Sequence, residues 1–155
     1  MVEPAPGLFD RYKAGLVGAE LTRTWRGQGS AIFLEFGRLT PRHRRDGSQS
    51  NPTGEFGVMI EWSWRVETAI SVLFGSWSDD ALWEKSLRRL HGSTVSDAWL
   101  FGDLPELGIA LSSGHRVLSF MTSDGDPDWT LFDRREPREC WLRVRDGLVV
   151  EEFAD

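Results

Sequence analysis

Apolar and polar residues alternate along much of the chain, which is the pattern of β-strands that have one face against a core. The longest run places an apolar side chain at every second position from Phe56 to Val66. It predicts one half-buried strand with Trp62 and Trp64 on its core face. Shorter alternating runs lie at residues 32–36, 70–74, 107–111 and 129–132. The chain is therefore predicted to be mainly antiparallel β-sheet, either strongly curved or split into two layers.

One amphipathic helix is predicted around residues 79–91. Ser78 can cap its first turn, where Asp79 and Asp80 favour the exposed amides, and Gly92 can provide a left-handed stop. Apolar side chains recur at helical spacing and should pack on the sheet: Trp83, Leu87 and Leu90. Residues 10–16 can form a short further turn of helix. The expected fold class is α+β.

Two segments of the chain resemble each other. Residues 16–25 can be aligned with residues 90–99, so that leucine, glycine, an aliphatic residue and tryptophan recur in step. Each segment leads through a glycine-containing turn into an alternating strand. This pattern predicts two β-units, 16–75 and 90–135, that pack on one core within a single domain of residues 1–155. Residues 38–54 lie between strong strands and are predicted to form a long loop.

Length and composition favour a small soluble protein. The chain has 155 residues, of which 40% are hydrophobic and 27% are charged. No apolar run is long enough for a membrane helix, and residues 1–4 do not begin a secretory signal. The single cysteine, Cys140, excludes an internal disulfide and fits a reducing compartment. We therefore expect a cytoplasmic protein, and the preference for arginine over lysine favours a bacterium with a GC-rich genome.

Negative charge is concentrated in the middle of the chain. The net charge is −6, and residues 76–133 alone hold ten acidic and four basic residues. Such a segment should repel nucleic acids and attract basic partners, although acidic residues also simply keep a surface soluble. Several of the eight tryptophans stand beside these carboxylates. The candidate partner-binding residues are Trp77, Asp79, Asp80, Trp99, Asp103 and Glu106.

The sequence offers little catalytic chemistry. It has no G-x-S-x-G motif, and its three histidines are not at metal-ligand spacing, so neither a cofactor nor a metal is expected. Residues 124–128 have the opening carboxylate spacing of a calcium loop, but Trp129 and Arg135 occupy the positions that need glycine and glutamate. The basic residues of 38–45 are interpreted as a solvated loop rather than a nucleic-acid site.

A catalytic or small-molecule site remains as the alternative. Glu35, Glu61 and Arg65 fall on the polar faces of predicted strands. If these strands pair, the two carboxylates could line one concave surface beside the arginine and act as a general acid and base. The competing interpretation is a solvated outer face with ion pairs between strands.

A further pattern spans residues 85–135: Leu90-x-Gly92, then Leu107-x-Ile109-x-Leu111, Gly114 and Asp128-Trp129-x-Leu131. It resembles small bacterial families that look like immunity proteins of polymorphic toxin systems. The resemblance implies an immunity- or antitoxin-like inhibitor, and it carries no functional residue with it. Together with the acidic segment, it leads us to expect a non-enzymatic protein that binds a basic protein partner.

Overall fold

The computed structural model describes residues 7–155, in which antiparallel strands form two sheets around one hydrophobic core. The strands are β1 (Leu21–Arg26), β2 (Ile32–Phe36), β3 (Thr40–His43), β4 (Gln49–Thr53), β5 (Phe56–Ile60), β6 (Trp64–Glu67), β7 (Val72–Gly75), β8 (Val95–Phe101), β9 (Glu106–Leu111), β10 (Arg116–Ser119), β11 (Trp129–Asp133), β12 (Cys140–Arg145) and β13 (Leu148–Phe153). The first sheet has the order β1-β2-β5-β11-β12-β13, and the second has the order β7-β6-β10-β9-β8. The predicted α+β class, mainly antiparallel and two-layered, is confirmed.

Two short helices complete the described chain. The first is α1 (Leu8–Leu16), which packs against β8. The second is α2 (Trp83–Arg88), which follows a 3-10 turn at Asp80–Leu82 and packs against β1. The predicted apolar stripe around α2 is buried, and Gly92 has the left-handed φ of +91° that was expected of it. The cap differs from the prediction, because the Asp79 carboxylate, not Ser78, accepts the hydrogen bond of the Ala81 amide.

The alternating run from Phe56 to Val66 is two strands rather than one, so this prediction is wrong. β5 belongs to the first sheet and β6 to the second, and the chain turns between them at Trp62, which has a φ of +65°. Trp62 is consequently 55% exposed, whereas Trp64 is fully buried. The alternation of residue types continues through the turn, but burial does not follow it, because Trp62 is turned out to solvent and Ser63 is buried instead.

Residues 38–54 also differ from the expectation of a loop. They contain the β3–β4 hairpin, a separate pair of strands whose members pair between Thr40 and Thr53 and between His43 and Gln49. The segment has no apolar alternation because β3 is exposed and β4 is only half-buried. The hairpin returns the chain to β5 at the edge of the core.

Elements of the two predicted β-units follow one order. A helix precedes each unit, and a glycine with positive φ, Gly18 or Gly92, stands between that helix and the first strand. The Gly18 amide donates to the Val95 carbonyl, and the Gly92 amide donates to the Leu21 carbonyl. The two bonds are equivalent, because Gly18 is aligned with Gly92 and Leu21 is aligned with Val95. β1 and β8 therefore begin side by side, in an approximate two-fold relation.

Each unit also exchanges strands with the other. The first unit contributes β1, β2 and β5 to the first sheet and then crosses to form β6 and β7 in the second. The second unit contributes β8, β9 and β10 to the second sheet and then crosses to form β11 in the first, where β12 follows beyond the predicted end of the unit at residue 135. The outcome is two sheets that neither unit completes alone.

A buried tryptophan begins the first strand after each crossing. The Trp64 indole Nε1 donates to the Ser30 carbonyl at 2.7 Å, and the Trp129 indole Nε1 donates to the Pro105 carbonyl at 2.9 Å. Ser30 lies in the β1–β2 turn and Pro105 in the β8–β9 turn, so each indole contacts the first hairpin of its own unit. Each bond ties together the two sheets.

We expect Trp64→Phe and Trp129→Phe each to lower the free energy of unfolding by about 1–3 kcal/mol, because a partly buried carbonyl loses its donor. Urea unfolding measures the effect. Trp141→Phe is the matched control, since its indole donates to Glu152 within the first sheet and ties no second sheet to it. If Trp64→Phe and Trp129→Phe are no less stable than this control, the two indoles do not tie the sheets together as assigned.

Candidate interaction surface

The connections at one end of both sheets carry nine carboxylates and no arginine or lysine. We call these segments the acidic end. They are residues 27–31, 61–63, 76–80, 102–106, 120–128 and 146–147. The strand register places these connections at one end. In the first sheet, Ile60 is the last residue of β5 and pairs with Ile32 and Trp129, the first residues of β2 and β11. In the second sheet, Ser119 at the end of β10 pairs with Trp64 at the start of β6. The carboxylates are Glu61, Asp79, Asp80, Asp103, Glu106, Asp124, Asp126, Asp128 and Asp146. Negative charge from distant parts of the chain is thus collected in one place.

Little of this charge is neutralised. Within residues 7–155, Asp80 is the one member of the acidic end in an ion pair, with Arg26 at 3.4 Å. Arg143 and Arg145, on the neighbouring strand, are paired instead with Glu152. The remaining carboxylates project a negative potential towards solvent, and a basic surface would be attracted to it.

Two of the carboxylates organise the loops. Glu106 accepts hydrogen bonds from the Ser119 hydroxyl at 3.0 Å and from the Met121 amide at 2.6 Å. Asp126 accepts from the amides of Asp146 and Gly147 at 3.0 and 2.9 Å. Residues 120–128 are therefore held against both the β8–β9 and the β12–β13 turns. The acidic end is a braced surface rather than a set of independent loops.

Glu61 and Asp128 form a pair of carboxyl groups in direct contact. The Glu61 amide donates to the Asp128 carbonyl at 2.9 Å, which places the two side chains together. Their hydrogen bond raises the pKa of Glu61, and partial burial and the negative charge of Asp128 raise it further. The Glu61 carboxyl is therefore protonated at a higher pH than an isolated carboxyl group is, because two adjacent negative charges repel.

Large apolar side chains are exposed among these carboxylates. Trp77 is 84% exposed, and Trp62 and Leu104 are both more than half exposed. Trp77 also borders a cleft of about 350 Å³ whose walls include Phe120, Val72 and one charged residue, Arg65. Exposed tryptophan is costly to hydrate and is enriched in the energetic centres of protein interfaces. The acidic end therefore combines charge that attracts with apolar surface that can be buried.

Five of the six predicted partner-binding residues lie on the acidic end: Trp77, Asp79, Asp80, Asp103 and Glu106. The sixth, Trp99, lies within β8 away from it. Its indole covers Gly108 of the next strand so closely that a Cβ there would come within 2.5 Å of the ring. Trp99 thus packs on its own sheet. Leu104 lies within the predicted stretch from Trp99 to Glu106, whereas Trp62 was missed because the alternation gave the opposite indication for it.

The alternative site at Glu35, Glu61 and Arg65 is not assembled. Glu35 is fully buried and pairs with Arg134, with 2.8 Å between Oε1 and Nη1. Glu61 follows the opposite end of β5, and Arg65 lies in the second sheet, where it pairs with Glu67. The polar face of β2 is not a solvated surface because the β3–β4 hairpin and Arg134 cover Glu35. No shared concave surface joins the three.

Other chemistry in the described part of the chain is limited. Residues 7–155 contain no cluster of three or more potential metal ligands. Burial raises the pKa of the Cys140 thiol, which disfavours the reactive thiolate. Across the same residues, the helices are too short or too polar to cross a membrane.

Comparisons with models of known protein families, with curated proteins and with solved structures find no match. The acidic end and its exposed aromatic residues are therefore the basis on which a function can be inferred.

Glu61→Gln should stabilise the protein at pH 7, since the amide keeps a hydrogen bond to Asp128 while the repulsion disappears. A carboxyl whose pKa is raised by folding costs stability as the pH rises from its ordinary value through its folded value. The gain should therefore be absent near pH 4 and present at pH 7. Thermal unfolding at both pH values measures it. Glu20→Gln, at an exposed position away from the acidic end, is the control, and an equal gain at both pH values would contradict the pairing.

Tryptophan quenching can measure the local potential. Relative to their quenching of a free tryptophan derivative, caesium ions should quench the fluorescence of Trp77 more strongly than iodide does, because the carboxylates of the acidic end concentrate cations and exclude anions. The Trp77 contribution is the difference between the wild-type protein and Trp77→Phe, and 1 M salt should abolish the preference. Trp141→Phe provides the comparison, since its ring stands beside Arg143 and Arg145. A preference for iodide at Trp77 would show that the acidic end is not negative.

Proposed function

We propose that this chain is a bacterial, cytoplasmic binding protein without enzymatic activity. It docks its acidic end on a basic surface of a protein partner and inhibits that partner in the manner of an immunity protein or antitoxin. The observation that carries this proposal is the acidic end itself. Nine carboxylates without an arginine or lysine surround three exposed apolar side chains.

Charge and apolar surface would have separate roles in this association. The unpaired carboxylates would accelerate encounter with a basic partner and disfavour acidic ones, and their effect would fall with salt. The exposed rings of Trp62 and Trp77 would supply most of the affinity once they are desolvated against the partner. Bracing by Glu106 and Asp126 supports the proposal, because a preformed surface loses less conformational entropy on binding.

The same features favour a protein partner over a nucleic acid at this surface. Phosphates would be repelled by the carboxylates, whereas arginine and lysine side chains of a protein could pair with them. An inhibitor needs only to cover its target, so that a surface without catalytic groups is sufficient. The resemblance of residues 85–135 to immunity proteins agrees with this function.

Capture from a lysate of the host, followed by binding measurements with the purified captured protein, tests the proposal. At low salt, the immobilised protein should retain one stoichiometric basic protein, which should be released at high salt. In titration calorimetry, Trp77→Ala should weaken binding by about 30-fold or more. Asp103→Lys should weaken it as well, mainly by slowing association.

Asp155→Lys is the matched control, because it makes the same change of charge at an exposed position beyond β13, away from the acidic end. It should bind within about twofold of the wild-type protein. Equal binding by Asp103→Lys and Trp77→Ala would place the interface elsewhere. Capture of no stoichiometric protein at low salt would argue against a protein-binding function.

A further inference from the structure

A cleft lined by arginines lies on the face of the first sheet that points away from the core. The β3–β4 hairpin stands over this face and leaves a space of about 450 Å³, which is within the usual size range of small-molecule sites. Its walls include Trp25, Arg42, Arg44 and Arg134, together with Glu139, which is paired with Arg134 at 3.4 Å. A second space of about 260 Å³ adjoins it, shares Trp25 and Asn51, and includes Arg23. We call the two spaces together the arginine cleft.

Three of these arginines have no balancing carboxylate. Within residues 7–155, no acidic side chain lies within 4.0 Å of the charged nitrogens of Arg23, Arg42 or Arg44. Arg42 Nε donates to the Thr53 hydroxyl at 2.7 Å, which directs its guanidinium group without neutralising it. Arg44 is held in a similar way by the carbonyl of Gln49. Arg42 and Arg44 thus line the first space, and Arg23 lines the space that adjoins it.

Arg23 carries an unsatisfied donor. Its Nη2 donates to the Asn51 side chain at 2.9 Å, but its Nε is buried and has no hydrogen-bond partner. An unpaired buried donor on a charged group costs free energy, and such groups in folded proteins call for an explanation. The positive charge of Arg23 is thus incompletely compensated within the described residues, and it would attract an anion in the adjoining space.

The neighbouring histidine is also affected by this positive charge. His91 Nε2 lies 2.8 Å from the Thr24 hydroxyl, and Thr24 is part of the wall of the second space. Burial lowers the pKa of His91, and the positive charges of Arg88 and Arg23 lower it further. The cleft thus disfavours an additional cation.

Glu35 makes the floor of the cleft rigid. Its buried carboxylate accepts hydrogen bonds from Arg134 Nη1 at 2.8 Å, the Trp25 indole at 2.9 Å and the Gly54 amide at 3.1 Å. The Trp25 ring is stacked on Phe33, with 3.7 Å between the ring centroids. A fixed flat apolar surface therefore stands between the arginines of the two spaces.

We propose that the arginine cleft binds a small phosphorylated molecule with a planar ring, such as a nucleotide, whose phosphates pair with Arg23, Arg42 and Arg44 and whose ring packs against Trp25. Guanidinium groups match phosphate geometry through paired hydrogen bonds. A small ligand suits the site better than a long polyanion, because the acidic end occupies the opposite end of the first sheet. This site is separate from the acidic end and does not depend on the protein partner.

Titration calorimetry with ADP, adenosine, pyrophosphate and a ten-nucleotide single-stranded RNA tests the proposal at low salt. ADP should bind at least tenfold more tightly than adenosine or pyrophosphate, because only ADP offers both phosphates and a ring. Equal affinities for ADP and pyrophosphate would overturn the contact with Trp25. No binding of ADP or pyrophosphate at millimolar concentration would overturn the site.

Variants on the hairpin locate the binding. Arg42→Gln should weaken ADP binding by more than tenfold, while the unfolding temperature should stay within about 2 °C because its side chain lies outside the core. Arg45→Gln, on the same hairpin but outside the cleft, should bind like the wild-type protein. Stronger binding of the RNA than of ADP, weakened equally by both substitutions, would instead show a general nucleic-acid surface and overturn the proposal.

Discussion

The transfer of the chain between two sheets is the constraint on which the rest of the structure depends. Each β-unit builds three strands of one sheet and then continues into the other, so neither sheet is complete until both crossings are made. Trp64 and Trp129 secure these crossings by filling the core and by donating to the first hairpin of their own units. Because every crossing passes the same end of the molecule, the connecting segments are gathered there.

This gathering explains the character of the acidic end. Connecting segments need polar side chains because they face water, and here all the charged ones are acidic. Trp62 occupies the tight turn of the first crossing with a positive φ, which holds its ring outside the core. The exposed aromatic residue and the unneutralised charge thus follow from the same topological feature.

The molecule is electrically polar along its first sheet. The acidic end begins beyond Ile60, while Arg134 and the β3–β4 hairpin lie at the other end of β5 and β11. A five-residue strand separates the two regions by about 17 Å. That distance exceeds the screening length at physiological salt. The charge of one region therefore does not cancel the attraction of the other region for a ligand of opposite charge.

Local pattern in the sequence was sufficient for the α+β class, the buried stripe of α2 and most of the strands, because alternation and helical spacing depend only on neighbouring residues. It was also sufficient to mark Trp77 and the nearby aspartates. Alternation could not reveal the turn at Trp62, the burial of Glu35 or the separation of Glu61 from Arg65. Those features were decided by the tertiary structure, since they depend on which strands become neighbours and on what covers each face, and both involve residues far apart in the chain.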